Sequence, residues 1–255
     1  MERIKNLNVY QKALLIIMII AVVVFSVIYP RTISRVGFLY SGQIFVPEKI
    51  NGSTVYSGKL DGKESRFVVT GKDTVEFYHG DTLYGPYVIV KDPSAVPKNH
   101  KNASSMTGIE VRWGEKIVFR GGLWVAGKDY WYLYDEDGDK NLGHMSVDIG
   151  NRPQYTSNKE SKEPNIYTII ALTRSPELTH KGSILTLITA FGAFLLNAIS
   201  ILFVDELFRF DLSFQIRDPE DAEPSDFMIM SRYIAWTILT VIPIAILIYG
   251  LQAVA

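Results

Sequence analysis

Three long apolar segments constrain the fold of this chain more than any other feature of its sequence. They occupy residues 13–29, 183–204 and 233–252, and they contain no Asp, Glu, Lys or Arg. An α-helix needs about 20 apolar residues to cross the hydrocarbon core of a bilayer. The sequence therefore predicts three transmembrane helices, with the lipid bilayer as the first expected partner.

The first apolar segment follows a short basic tail, residues 1–12, as the apolar core of a secretory signal peptide does. A cleaved signal peptide would end in small residues, whereas this segment ends in the letters FSVIYP. It is also longer than the usual apolar core of a signal peptide. We therefore expect an uncleaved transmembrane anchor.

Four residues of the later segments are candidates for helix packing: Gly192, Ala193, Asn197 and Pro243. Gly192 and Ala193 would let another helix approach closely, and Asn197 would form a hydrogen bond across a helix interface. Pro243 removes a backbone donor and predicts a kink. The alternative interpretation is a substrate path through the membrane, but we prefer packing because the segments contain no ionisable residue.

The basic residues of the short loops predict the orientation. The N-terminal tail and the loop 205–232 each carry three Lys or Arg residues, and the chain after residue 252 carries none. The positive-inside rule places the tail and the loop in the cytoplasm. We expect residues 31–181 and the C-terminus to lie outside, at the plasma membrane.

Residues 31–181 are predicted to form an extracytoplasmic all-β domain. Runs such as TVEFYH, GIEVRW and KIVFRG alternate apolar and polar residues, as half-buried strands do. Turn dipeptides separate the runs, including Asp61-Gly62, Gly80-Asp81 and Asp137-Gly138. The expected fold is an antiparallel meander that forms a small barrel or a sandwich.

Four stretches of this domain carry separate expectations. Residues 91–107 are rich in Pro, Asn and Ser and are predicted to form a long loop, and the polar residues 151–165 are predicted to be flexible. The apolar residues 166–172 are predicted to form the last strand. Residues 130–134 are apolar on both faces, which favours a central strand.

The sequence contains no catalytic or nucleotide-binding signature of the GxSxG, HExxH or GxxxxGK[ST] type, and no cofactor is expected. It also contains no cysteine, which excludes disulfides and thiolate metal sites. Asp135, Asp137 and Asp139 alternate as calcium ligands do, but the Gly and Glu that an EF-hand loop requires at later positions are missing. We prefer a hairpin turn, with a weak calcium site as the alternative.

The loop 205–232 contains eight Asp and Glu residues against three arginines. Phe203, Leu207, Phe210 and Phe214 would share one face of a helix, so we expect an interfacial helix rather than an isolated strand. Ser225 is a favourable N-cap and predicts that the third long helix begins there. The carboxylates that could dock a basic partner are Glu220, Asp221, Glu223 and Asp226, and a solvated turn is the alternative.

The motif Ala222-Glu223-Pro224-Ser225-Asp226, followed by Ser231-Arg232-Tyr233 and an apolar helix, resembles the linker of small Gram-positive bacterial membrane proteins of unknown function. The resemblance covers only the chain from the second apolar segment onward. It implies a bacterial plasma membrane, and it implies no activity.

Three functional hypotheses follow. The preferred one is a non-enzymatic membrane protein that presents its β-domain for binding, sensing or complex assembly, with membrane or envelope proteins or further copies as partners. The alternatives are a transporter or channel subunit, and a membrane-anchored enzyme that gathers residues such as His79 and His144. The net charge of −1, without a basic region, argues against nucleic-acid binding.

Overall fold

Three long apolar helices make up most of one unit of the structure. The computed structural model describes residues 2–127, 130–141, 146–147, 153–154, 162–174 and 176–254. It divides into two units, Met1–Ser34 with Lys181–Ala255 and Arg35–His180. The helical unit contains α1 (Glu2–Asn6), α2 (Val9–Ile33), α4 (Ile184–Leu202), α5 (Val204–Leu212) and α6 (Asp226–Gly250). Of these, α2, α4 and α6 are long and apolar enough to cross a membrane.

Side-chain caps explain where the long helices begin. Asn8 and Gln11 form a capping box at the start of α2, in which each side chain accepts a hydrogen bond from the backbone N–H of the other. Ser183 caps α4, and Ser225 caps α6 by accepting a hydrogen bond from the Met228 N–H at 3.3 Å. The predicted start of the third long helix at Ser225 is confirmed. Because polar residues complete their ends, α2 and α6 are longer than the apolar segments.

The three long helices pack through residues spaced three or four apart, so that one face of each helix is buried. The buried apolar residues of this core are Leu14, Met18, Ala21, Phe25, Tyr29, Ala190, Phe194, Ile201, Trp236 and Leu247. Pro243 is also buried, and α6 continues through it as a helix. The outer faces of the helices are equally apolar, which is what a lipid-facing surface requires.

Gly250 lies at a close approach of helices within this unit. A Cβ atom at Gly250 would lie 2.4 Å from the Tyr29 hydroxyl and 2.5 Å from Cγ2 of Thr186. A Cβ atom at Gly192 would meet no described atom within 4 Å. Within one chain, therefore, Gly250 permits a close approach of helices, and the packing role of Gly192 stays a prediction.

The second unit is an antiparallel meander in which each of ten strands pairs with the next along the chain, and a two-stranded pair, β11 (Ser146–Val147) with β12 (Pro153–Gln154), is separate. The strands of the meander are β1 (Phe38–Tyr40), β2 (Gln43–Ile50), β3 (Ser53–Leu60), β4 (Lys63–Thr70), β5 (Thr74–His79), β6 (Thr82–Lys91), β7 (Met106–Trp113), β8 (Lys116–Val125), β9 (Trp131–Asp135) and β10 (Lys140–Asn141). The predicted antiparallel meander is confirmed.

Aromatic rings fill the inner face of the meander. Phe67 lies at the centre of this cluster, with ring centroids 4.3 Å from Phe77 and 4.9 Å from Tyr40. Phe38 and Phe45 pack edge-on or tilted against the same ring. All five side chains are almost completely buried. Such rings contribute most of the apolar area that a small core removes from water.

The predicted last strand is wrong, because residues 166–172 form a helix, α3 (Ile166–Thr173). Asn165 caps it by accepting a hydrogen bond from the Thr168 N–H at 2.8 Å. The six residues 167–172 are all buried. A continuous apolar run that is buried on every side has no periodicity to distinguish a helix from a strand, which explains the error.

The prediction of a central strand at residues 130–134 is also wrong, since β9 is the next-to-last strand of the sheet. Its inner face is apolar because Trp131 stacks on Tyr167 of α3, with 5.1 Å between ring centroids. Its outer face carries Tyr132 and Tyr134. Strand β9 is therefore apolar on both faces because helix α3 covers its inner face and aromatic side chains line its outer face.

The long loop predicted at residues 91–107 is confirmed between β6 and β7, and it lies against the outer face of the sheet. Two glycines that pair across β7 and β8, Gly108 and Gly122, make room for it. A Cβ atom at Gly108 would lie 2.0 Å from the Asp92 carbonyl oxygen, and one at Gly122 would lie 3.0 Å from Pro97. We call residues 92–105 the crossing segment.

Of the predicted flexible stretch 151–165, residues 151–152 and 155–161 lie outside the described residues.

Substituting Gly250 with Ala should destabilise the helical unit, because the new methyl group would overlap Tyr29 and Thr186. Overpacking of this kind costs about 1–3 kcal/mol. The matched control is Gly192→Ala, which meets open space and should raise helix stability by up to about 1 kcal/mol. Thermal unfolding of the full chain in detergent, followed by helical circular dichroism, measures both. Equal effects of the two substitutions would contradict the packing described here.

Substituting Gly108 with Ala should destabilise the β-domain, because the crossing segment would have to leave the sheet. We expect a loss of about 1–3 kcal/mol. Gly127→Ala is the control, since its methyl group would come no closer than 3.8 Å to Tyr130. Tryptophan fluorescence during denaturation suits this measurement, because Trp113, Trp124 and Trp131 lie in this domain. An unchanged midpoint for Gly108→Ala would show that the segment does not depend on the glycine.

Candidate functional site

A row of aromatic side chains covers the outer face of β8 and β9. Trp124 and Tyr132 are direct partners in the sheet and stack with 5.7 Å between ring centroids. Tyr134 lies 4.3 Å from the His100 ring of the crossing segment, measured between centroids. Tyr130, just before β9, is 68% exposed. We call Trp124, Tyr130, Tyr132 and Tyr134 the aromatic face.

Strand alternation places these rings outside the core. Leu123 and Leu133 point inward and are buried, so Trp124 and Tyr132 next to them point outward. Tyr134 is paired with Gly122, which has no side chain to compete for the same space. The ammonium group of Lys140, on the neighbouring strand, lies 3.9 Å from the centroid of the Tyr132 ring. This cation–π contact brings a positive charge to the aromatic face.

Arg120 ties the crossing segment to the sheet beside the aromatic face. Its guanidinium donates to Asp92 at 2.9 Å and to the Ser94 hydroxyl at 2.7 Å. It also pairs with Glu136, and it lies 3.7 Å from the buried carboxylate of Glu110. Three carboxylates thus surround one arginine, and Arg112 adds a second cation to Glu110. This network fixes the position of the crossing segment.

The hydrogen bonds of this network shift the pKa values of Asp92 and Arg112. Hydrogen bonds from Ser94 and then from Arg120 hold the pKa of Asp92 below its usual value. The hydrogen bond to Glu110 raises the pKa of Arg112. Both shifts favour the charged forms of Asp92 and Arg112.

The aromatic face could stabilise the sheet or bind a partner, and the exposure of its side chains distinguishes these two interpretations. A cross-strand aromatic pair stabilises a sheet by about 0.2–1 kcal/mol, which accounts for Trp124 and Tyr132 without any function. It does not account for Tyr130, which is largely exposed and precedes the strand. Tyr, Trp and Arg are also the residues most enriched where proteins bind partners. The outer face is therefore the best candidate for a binding surface.

The three candidate calcium ligands lie in a hairpin turn. Asp135 accepts the Asp139 N–H with its side chain at 2.9 Å and the Gly138 N–H with its carbonyl at 3.1 Å. Gly138 has a φ of 88°, which the turn requires and glycine adopts readily. The preferred prediction of a hairpin around Asp137-Gly138 is confirmed. Among the described residues, no group of three or more His, Cys, Asp or Glu is placed to hold a metal ion.

His79 forms a contact that the sequence did not reveal. Its Nδ1 lies 2.9 Å from the Ser65 hydroxyl, its partner across β4 and β5. A hydroxyl bonded to an imidazole is the usual arrangement of a nucleophile and its base. Ser65, however, is only 4% exposed, so its hydroxyl is almost completely shielded from solvent. His144, the other candidate, lies outside the described residues.

The nearby ion pair of Lys162 and Asp61, with 2.6 Å between Nζ and Oδ2, ties the chain before α3 to the turn between β3 and β4. The hydrogen bond from Lys162 holds the pKa of Asp61 below its usual value. The contact is exposed to solvent, so we assign it a positioning role for the start of α3 rather than a large share of stability.

Asn197 is fully buried among the long helices, where its amide nitrogen donates to the Trp236 carbonyl and to the Thr240 hydroxyl, each at 3.0 Å. The Trp236 indole donates in turn to Ser200 at 3.0 Å. These bonds link α4 to α6 across their interface, as expected for a packing residue. The Asn197 carbonyl oxygen has no hydrogen-bond partner among the described residues.

The acidic candidates Glu220, Asp221, Glu223 and Asp226 are all exposed, between α5 and the first turn of α6. Glu220 accepts a hydrogen bond from Arg209 at 3.3 Å, a weak surface pair. Asp226 begins α6, where a negative charge is favoured by the helix dipole. At least these two carboxylates therefore have local structural roles.

No protein-family model matches this chain, and no curated protein or solved structure is significantly similar to it.

Replacing Arg120 with Met should lower the thermal stability of the β-domain by several degrees, because the buried Glu110 carboxylate loses a cation and the crossing segment loses its anchor. The effect should depend on pH. Asp92 has a lowered pKa in the folded state, so its contribution is present above about pH 4 and is lost as the pH falls through that lowered pKa. In the variant the pKa of Asp92 should lie closer to its usual value, so this acid-induced loss should be smaller and should be complete at a higher pH.

The control for this prediction is Arg66→Met, since Arg66 lies on the outer surface over the Tyr78 ring at 4.5 Å. Melting temperatures of the full chain between about pH 3 and pH 7 give both profiles. Parallel profiles for the wild-type and Arg120→Met proteins would contradict the assigned role.

Proposed function

We propose that this chain is an integral membrane protein that presents an extracytoplasmic β-domain for binding or complex assembly, with the aromatic face as the binding surface. The three apolar helices fit a membrane protein, and the meander forms a β-domain of its own. The observation that carries the proposal is the row of outward aromatic side chains that ends in the exposed Tyr130.

The filled core favours binding at the surface over binding inside the domain. Phe67 and its aromatic neighbours occupy the inner face of the first strands, and α3 covers β5 and β9. A β-barrel with an open interior can instead hold a small ligand there. In this domain the apolar contacts for a partner lie on the outer surface, at the aromatic face of β8 and β9.

The aromatic face suits a protein partner. Tyr and Trp provide large contact areas at a low cost in side-chain entropy, and they dominate the energetic centres of protein interfaces. The ion pairs of Arg120 and the glycine pair hold the adjoining crossing segment in place before binding, which lowers the cost of association. The partner class that we propose is a membrane or envelope protein on the same side of the membrane.

The orientation in this proposal rests on charge. Lys and Arg in the N-terminal tail and in the loop before α6 support a cytoplasmic location for both. An odd number of crossings between these segments and the β-domain then puts the domain outside. The resemblance of the Ala222–Asp226 motif to Gram-positive linkers supports a bacterial plasma membrane.

The proposal predicts a specific crosslink at Tyr130. Because the chain has no cysteine, Tyr130→Cys can carry a single maleimide-linked benzophenone in the full-length protein. Irradiation of membranes from the native host should give one discrete adduct of higher mass. Adding Trp124→Ala should abolish the adduct without changing the melting temperature by more than a few degrees, since the stacked pair contributes about 1 kcal/mol or less.

The matched control is Leu83→Cys, an exposed apolar position on β6 of the same domain. It should give no discrete adduct. Absence of an adduct at residue 130, or the same adduct at residues 130 and 83, would refute the aromatic face as the binding surface.

A further inference from the structure

Helix α5 follows α4 after a break in the helical backbone. Phe203 has φ −121° and ψ 34°, outside the helical range, and it separates α4 from α5. The apolar residues of α5 and its flanks do not form one stripe, as a simple surface helix would require. They form two.

The first apolar face of α5 points into the unit. It consists of Val204, Phe208 and Leu212, each one helical turn from the next. Phe208 is only 7% exposed, and the Arg232 guanidinium of α6 lies 5.0 Å from its ring centroid. This face therefore fixes how α5 is rotated about its axis.

The second apolar face points away from the unit. It consists of Phe203, Leu207, Phe210 and Phe214, and all four are exposed. Phe210 and Phe214 are 63% and 76% exposed, and their rings touch edge to face with 5.1 Å between centroids. With about 3.6 residues per turn, this face lies roughly 130° around the helix from the first.

A third face is charged. Asp205, Glu206 and Arg209 occupy the wider arc between the two apolar faces and are exposed, and the exposed Asp211 lies on the narrower arc. We call the wider arc the charged arc. A helix with one side against protein, one apolar side uncovered and one charged side has three different surroundings. A helix lying along the surface of a bilayer, at the edge of a bundle, has these three surroundings: protein, lipid and water.

The uncovered face continues the outer surface of α4. Leu196 and Ile199 of α4 are exposed, and with Phe203, Leu207, Phe210 and Phe214 they form one series at intervals of three or four residues. The exposed apolar residues of α5 thus follow directly on those of α4 along the chain. For an apolar helix of membrane-spanning length, such as α4, the covering is lipid.

We propose that Phe203, Leu207, Phe210 and Phe214 insert into the boundary between the headgroups and acyl chains of the bilayer that α4 crosses. Helix α5 then runs along the membrane surface with its charged arc in water. This inference rests on the membrane location in the proposed function, and it adds a second, in-plane contact with the lipid.

The charge of α5 defines the kind of lipid contact. The helix carries Asp205, Glu206 and Asp211 against Arg209, so anionic headgroups do not attract it. Surface helices that adsorb by charge are rich in Lys and Arg, and salt weakens their binding. Insertion of α5 should instead depend on apolar burial, and neither anionic lipid nor low salt should strengthen it.

Single nitroxide labels test the proposal, since the full chain has no native cysteine. The labelled variants are Phe210→Cys and Leu207→Cys on the uncovered face and Asp205→Cys on the charged arc. The protein is reconstituted in phosphatidylcholine vesicles, with and without phosphatidylglycerol. The ratio of collision rates with oxygen and with a water-soluble nickel chelate should be several-fold higher at residues 207 and 210 than at 205, in both lipids.

A label at Leu196→Cys separates this inference from the proposed function. If residue 196 is protected from nickel while residues 207 and 210 are as accessible as 205, the helices are inserted and only the in-plane contact is refuted. If residue 196 is accessible to nickel as well, the membrane location fails. Spin–spin broadening at residue 210 that disappears on dilution with unlabelled protein would show that a second copy covers the face, and this would also overturn the proposal.

Discussion

Helix α3 is the element on which the β-domain depends. A meander presents an apolar inner face that must be covered, and α3 covers it by packing on β5 and by stacking Tyr167 on Trp131 of β9. The Tyr167 hydroxyl also accepts the Leu133 N–H at 3.3 Å. Burying one large apolar side chain contributes about 1.5–3 kcal/mol, and Ile169, Ile170 and Leu172 are all buried. Paired hydrogen bonds of 2.8 Å between Gly37 and Thr179 then hold together the two ends of the domain's chain.

The sequence predicted the elements that have a clear period or a strong local signal. Alternation and turn dipeptides were sufficient for the strands, and Ser225 was sufficient for the start of α6. The sequence did not predict helix α3 because its apolar residues are buried on every side of the helix. The N-cap residue Asn165 was a local indication of a helix start. Gly250 was missed for a different reason, because it lies at the end of an apolar segment and only the packed helices show that Tyr29 and Thr186 approach it.

The candidate site was less predictable, because its residues come together only through register and a long loop. The outward direction of Tyr132 and Tyr134 could be read from their alternation with Leu133. The contacts of Arg120 with Asp92 and Ser94 cross 28 and 26 residues, and no spacing rule anticipates them. The glycine pair had a weaker signal, since a glycine inside a strand often marks a place where another backbone comes close. The pair Ser65 and His79 likewise requires the register of β4 against β5.

The two units handle exposed apolar surface in opposite ways, and this difference indicates where each one meets its surroundings. In the β-domain a cluster of aromatic side chains is buried on the inner face, whereas on the outer face Tyr130 is exposed and Trp124, Tyr132 and Tyr134 are half-buried. In the helical unit the outer faces are apolar throughout, so α5 is unusual for its charged arc rather than for its phenylalanines. Four of the eight acids of the linker, Asp218, Glu220, Asp221 and Glu223, lie after α5 and before α6, and two more, Asp205 and Glu206, lie on the charged arc of α5. Most acids of this linker are thus kept away from its exposed apolar face, which is the pattern expected where a chain follows the boundary between lipid and water.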